Sequence, residues 1–140
     1  MSPEDKLFES GPNPGLKTTS SGRIAEKPEI LEMPLPAGYR FFLRGLDQPV
    51  QNQVFVLQKA RQVIGRVDAD ITIDEPSISR KHAAIEIYDI DFAYIKDLAS
   101  TNGTFLNGEM INAAKLRTGD TVAIGDCRMQ FLVEAENPAK

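Results

Sequence analysis

Apolar residues in this chain come in short runs, and residues suited to tight turns stand between them. Asn102-Gly103, Asn107-Gly108, Gly119-Asp120 and Gly125-Asp126 supply the positive φ that such turns need. No segment keeps a helical period through three full turns. Short strands are expected at Tyr39–Arg44, Gln53–Leu57, Val63–Ile64, Ile71–Ile73, Ala83–Tyr88, Phe92–Lys96, Thr104–Leu106, Glu109–Ile111, Thr121–Ile124 and Cys127–Val133. The last alternates clearly: Cys127, Met129, Phe131 and Val133 face one way, Arg128 and Gln130 the other. Ala83, Ile85 and Ile87 are expected on one face of their strand, with Ala84, Glu86 and Tyr88 on the other, while Phe92–Lys96 is apolar on both faces. Many short strands at close spacing predict an all-β sandwich or barrel.

The pattern begins at Tyr39. Residues 1–38 hold six of the nine prolines and most of the clustered Ser and Thr. Proline offers no ladder donor, and this stretch has no period of 2 or 3.6, so it is expected to be a flexible tail. Ile30, Leu31 and Met33 are the tail side chains suited to docking on the domain. The folded unit is expected over 39–135, with 136–140 a short C-terminal tail.

The start MSPEDK has no basic opening and no apolar stretch behind it, so no secretory signal is expected. Val54-Phe55-Val56-Leu57 falls far short of the ~18 residues of a membrane span. Cys127 is the single cysteine, so no intrachain disulfide can form. These features predict a cytoplasmic protein without a membrane partner. The net charge of −4 disfavours duplex nucleic acid, as does the lack of a strand face that reads as both aromatic and basic. One local concentration of cations stands out: Lys59, Arg61, Arg66, Arg80 and Lys81.

Three short motifs fall at predicted loops: Gly65-Arg66, then Ser79-Arg80-Lys81-His82, then Ser100-Thr101-Asn102-Gly103-Thr104. A phosphomonoester carries about −1.5 to −2 charge and three strong acceptor oxygens. It calls for a guanidinium fork, a hydroxyl and free loop N–H groups. Arg66, Ser79 and the backbone after Ser79 are of those types, Arg80 and Lys81 add positive potential, and the Asn102 amide suits the backbone of an extended peptide. Each motif alone also has a plainer reading: a turn with a surface charge, a common Ser-x-x-His, a hairpin turn.

Their joint order is more specific. Gly65-Arg66, Ser79 to Ala83, Asp97 to Gly108, and Gly119-Asp120 to Gly125 together resemble the forkhead-associated (FHA) family over about residues 40–134. The resemblance implies an FHA/SMAD-like sandwich of about eleven strands in two sheets, with binding loops gathered at one end. It implies a phosphothreonine-dependent binding module, not an enzyme, that couples Ser/Thr kinase signalling to a partner protein. Arg66 and Ser79 match the phosphate contacts, Arg80 an assisting neighbour, Asn102 the holder of the ligand backbone, and Thr101 a further peptide contact. Gly65, His82, Gly103, Gly108 and Asn107 match supporting positions. Ser77 matches a position that helps choose the ligand side chain. Lys17-Thr18-Thr19-Ser20-Ser21 offers Thr18 and Thr19 as phosphorylation sites, so the domain's own tail is a candidate ligand.

Three other readings compete. A hydrolase would use Ser79, His82 and Asp97, but there is no Gly-x-Ser-x-Gly elbow. A metal site would use His82, but it is the only histidine, so no metal or other cofactor is expected. A phosphate-independent scaffold would use the same fold and leave Arg66, Ser79 and Asn102 without a shared task.

Overall fold

A computed structural model of the protein describes residues 33–136. Regular structure among them is all β: β1 (Tyr39–Gly45), β2 (Val54–Val56), β3 (Arg61–Gly65), β4 (Ile71–Thr72), β5 (Ala83–Asp89), β6 (Phe92–Asp97), β7 (Thr104–Leu106), β8 (Glu109–Ile111), β9 (Ala113–Leu116), β10 (Thr121–Ile124) and β11 (Cys127–Ala135). One sheet runs β2-β1-β11-β10-β7-β8 and the other β4-β3-β5-β6-β9. Only the short β3–β4 pairing is parallel.

The core lies between the sheets because each strand turns alternate side chains inward. Phe41, Leu43, Met129 and Phe131 from the first sheet meet Ile64, Ile85, Ile87 and Ile95 from the second, all essentially inaccessible to water. Cys127 belongs to this layer, and its burial pushes the thiol pKa up.

Two local expectations change. β9 had no counterpart among the strands read from side-chain pattern, because Ala113-Ala114-Lys115-Leu116 buries only Leu116. Its backbone pairing with β6 makes it a strand. Ala84 and Glu86 lie on the face opposite Ile85, as their alternation predicts, and both are buried although that face is the outer one. Neighbouring side chains cover them: Arg61 Nε and Lys96 Nζ reach the Glu86 carboxylate at 3.2 and 3.0 Å, and Tyr88 O–H donates to it at 2.8 Å. That outer face also joins aromatic and basic groups, with Tyr88 edge-on to Tyr94 and Lys115 over Phe92. The carboxylate of Glu86 holds two of its cations, Arg61 and Lys96.

At the N-terminal side, Leu35 packs against the core and Met33 is half-buried, so the chain meets the sandwich before Tyr39, inside the stretch read as tail. Thr18, Thr19, Ile30 and Leu31 lie outside the described residues, as do 137–140.

Candidate functional site

The connections after β3, β4, β6 and β10 all arrive at one end of the sandwich, where hydrogen bonds stitch them together. The Arg66 N–H donates to the Ser79 carbonyl at 3.0 Å, and Arg66 Nε donates to the Ile78 carbonyl at 2.8 Å. The guanidinium is thus fastened by one edge beside Ser79. Its Nη groups have no protein partner among the described residues.

Gly65 makes this approach possible. A Cβ there would lie 1.9 Å from the Arg80 carbonyl oxygen, so no larger residue fits without moving the β4–β5 loop.

Ser79 is oriented by a different loop: the Thr101 N–H donates to its Oγ at 2.9 Å. With that lone pair occupied, the hydroxyl proton is left to point elsewhere. Asn102 Nδ2 donates to the Ser77 carbonyl at 2.8 Å, which turns the side chain over the same loop and leaves Oδ1 without a partner among the described residues. Arg80 and Thr101 are exposed at this rim.

His82 sits beneath, fully buried. Its Nδ1 accepts the Ser79 N–H at 3.0 Å, and its Nε2 lies 2.8 Å from the Gly103 carbonyl. A carbonyl only accepts, so the ring carries its proton on Nε2. One imidazole thereby ties the Ser79 loop to the Thr101–Gly103 loop.

Asp97, Ser100 and Thr104 complete the support. Asp97 accepts from both hydroxyls and from the Ser100 N–H, and Ser100 Oγ accepts the Gly103 N–H at 2.9 Å. Burial pushes the Asp97 carboxyl up, but these hydrogen bonds outweigh it and hold the pKa below the ordinary value. Ser100 and Thr104 stood in the third motif without a role of their own, and Asp97 only as the acid of the hydrolase reading, although all three lie inside the stretch that carries the resemblance.

A hydrolytic triad is absent from this geometry. The Ser79 hydroxyl is hydrogen-bonded to a backbone amide rather than to His82, and Asp97 bonds Ser100 and Thr104.

An FHA domain family model matches residues 62–125. The glycogen accumulation regulator GarA of Mycobacterium tuberculosis is 30% identical over 146 residues, spanning 94% of this chain and 89% of that protein. The chain belongs to the FHA domain family. The oxoglutarate dehydrogenase inhibitor of Corynebacterium glutamicum is 37% identical over 101 residues, covering 70% of this chain and 68% of that protein. A solved structure of Mycobacterium tuberculosis EmbR, in complex with a low-affinity phosphopeptide, superposes with a TM-score of 0.61 at 31% identity, over 71% of this chain and 26% of that one. FHA domains are phosphothreonine-binding modules.

Not every residue singled out reaches the rim of this FHA domain. Asn107 lies at the other end of β7 from Thr104. There its Nδ2 donates to Asp120 at 3.1 Å and its Oδ1 accepts the Thr121 N–H at 2.9 Å. It pins the β7–β8 hairpin to β10, as its φ of 49° and the adjacent Gly108 suit a tight turn, and it bonds none of the loops gathered at the rim.

The cation cluster also divides. Lys59 pairs with Asp70, Arg61 with Glu86, and Lys81 bonds the Asp68 carbonyl. Arg66 and Arg80 have no ion-pair partner among the described residues. The Ser77 hydroxyl is held by Glu75 and by the Asp126 N–H of the β10–β11 turn.

Proposed function

We propose that this FHA domain reads phosphothreonine in a partner protein, with Arg66 and Ser79 holding the phosphate, Arg80 and Thr101 assisting, and Asn102 gripping the ligand backbone. One observation carries the reading. Two donors suited to a phosphate, the Arg66 Nη groups and the Ser79 hydroxyl proton, stand at one rim with their positions fixed and their hydrogen-bonding capacity unused by the described residues. Preorganised donors bind a dianion without first breaking bonds to the protein.

The relatives named above are a regulator and an enzyme inhibitor. In keeping with them, the partner here is a cytoplasmic protein whose activity changes on binding, and a Ser/Thr kinase upstream sets the binding state. The domain acts by occupancy rather than catalysis.

The tail provides a second ligand. Phosphorylation of Thr18 or Thr19 makes the chain its own competitor for the rim, which gives the kinase control over partner binding.

Fluorescence anisotropy with matched threonine, phosphoserine and phosphothreonine peptides tests the main reading. Binding confined to the phosphothreonine form is the expected result. Equal binding of all three would replace it with the phosphate-independent scaffold.

A further inference from the structure

Met110 is the most exposed large apolar side chain among the described residues, with 67% of its surface open to water. It sits on β8 opposite Phe105 of β7, so both side chains stand on the outer face of the first sheet. The methionine is not simply loose on the hairpin. A Cβ on Gly103 would lie 3.0 Å from Met110 Cε and 3.3 Å from Phe105 Cε1. The Met110 methyl and the edge of the Phe105 ring therefore both lie beside Gly103, the residue next to Asn102. Beyond Phe105 the same row continues to Ala123, and a groove of about 360 Å³ runs on between Phe105, Thr121, Ala123 and Arg128. The Arg128 guanidinium at its far side is already paired with Asp47 at 2.7 Å.

We propose that Met110 and Phe105 form an apolar shelf that receives a hydrophobic side chain of the phosphorylated partner segment, beyond the stretch gripped by Asn102. This rests on the phosphothreonine reading and adds a ligand preference to it. The occupant follows from continuity. A segment leaving Asn102 toward the hairpin crosses Gly103 and meets the Met110 methyl within about two extended residues, each advancing ~3.3 Å. There it finds two apolar side chains, with the Arg128 guanidinium across the groove already engaged by Asp47. A leucine, isoleucine or methionine covers that surface, whereas a charged side chain loses water over the methionine and the ring without a hydrogen bond from either. Methionine suits such a surface because its unbranched thioether adapts to differently shaped partners.

The test is a leucine walk. A single leucine is moved through an alanine background on both sides of the phosphothreonine, and affinities are measured by fluorescence anisotropy for wild type, Met110→Ser and Met110→Leu. One leucine position should improve wild-type binding about three- to tenfold, the range expected from burying part of one aliphatic side chain. That gain should vanish in Met110→Ser and persist in Met110→Leu, while the ratio of phosphorylated to unphosphorylated affinity stays the same in all three. A leucine gain that survives in Met110→Ser, or no gain at any position, overturns the shelf while leaving phosphate recognition intact. A Met110→Ser effect seen only as altered self-association in sedimentation assigns the surface to a second copy and also overturns it. Wild-type binding that ignores the phosphate is the separate failure of the reading beneath.

Discussion

Arg66 commits Nε to the Ile78 carbonyl and leaves its outer nitrogens without a partner among the described residues. Replacing it with alanine removes charge-assisted hydrogen bonds worth roughly 1.5–3 kcal/mol together. Arg66→Ala should therefore weaken phosphothreonine-peptide binding about 10- to 100-fold. The change should leave the unfolding midpoint nearly unmoved, because only a half-buried edge is lost. An unchanged dissociation constant in a titration would remove Arg66 from the site. Asp97 makes the opposite kind of prediction, since it touches no ligand. Its folded pKa lies below the unfolded value of about 3.9, so its stabilising effect is complete above that pH and fades as pH falls through the folded value. Asp97→Asn should lower stability at pH 7 by about 1–2 kcal/mol. Urea unfolding near pH 3 should find the variant and wild type closer together than at pH 7. A stability difference that stays constant across this range would show that the carboxylate charge is not what the Ser100 and Thr104 hydroxyls respond to.

At the scale of elements, the site depends on how closely the β3 end and the β4–β5 loop pack. Gly65→Ala forces a methyl into the Arg80 carbonyl, so the loop must move or the strand must bend. The expected cost is about 2 kcal/mol or more, a fall of at least ~8 °C in midpoint for a domain of this size. Peptide affinity should fall with it, which separates this variant from Arg66→Ala; calorimetry beside anisotropy reads both. A Gly65→Ala protein with wild-type midpoint and affinity would mean the loop yields freely. The contrast also explains what could be read in advance. β7, β8 and β10 have the bounds that their turn residues predict, because Asn-Gly and Gly-Asp mark strand ends chemically. β9 carried no such mark, since hydrogen bonds to β6 rather than a side-chain pattern define it. Arg66, Ser79 and Asn102, singled out as the kinds of group a phosphopeptide calls for, do stand at one rim, because the loops that carry them are hydrogen-bonded to one another. Asn107, matched through the resemblance to a supporting position, braces the β7–β8 turn against β10 instead, at the end of β7 away from Asn102. Met110 could not be found at all: an exposed methionine on a hairpin gains meaning only from the gap that Gly103 leaves beside it.

Across the whole molecule, the tail and the rim start at opposite ends. β1 begins at Tyr39, paired with Ala135 at the far end of β11, whereas Cys127 at the other end of β11 follows the turn that packs on Ser77. Nine residues of β11 at ~3.3 Å each set that separation at about 30 Å. Leu35 already packs on the core, so sixteen residues join Thr19 to the anchored chain, and an extended chain of that length spans up to about 53 Å. The tether is long enough for Thr18 or Thr19 to reach the rim, with slack that keeps the effective concentration near the millimolar range rather than above it. For a tail that binds with a dissociation constant on the order of 10 μM, a local concentration of about 1 mM occupies the rim and raises the apparent constant for an external peptide roughly 100-fold. Phosphorylating the chain in vitro should therefore suppress peptide binding, and the suppression should not change when the protein is diluted tenfold, because the competition is intramolecular. A chain with Thr18→Ala and Thr19→Ala, treated with the same kinase, should bind the external peptide like the untreated protein. Suppression that weakens on dilution would point to pairing between chains. Mass spectrometry that finds no phosphate on either threonine would leave the rim to external partners alone.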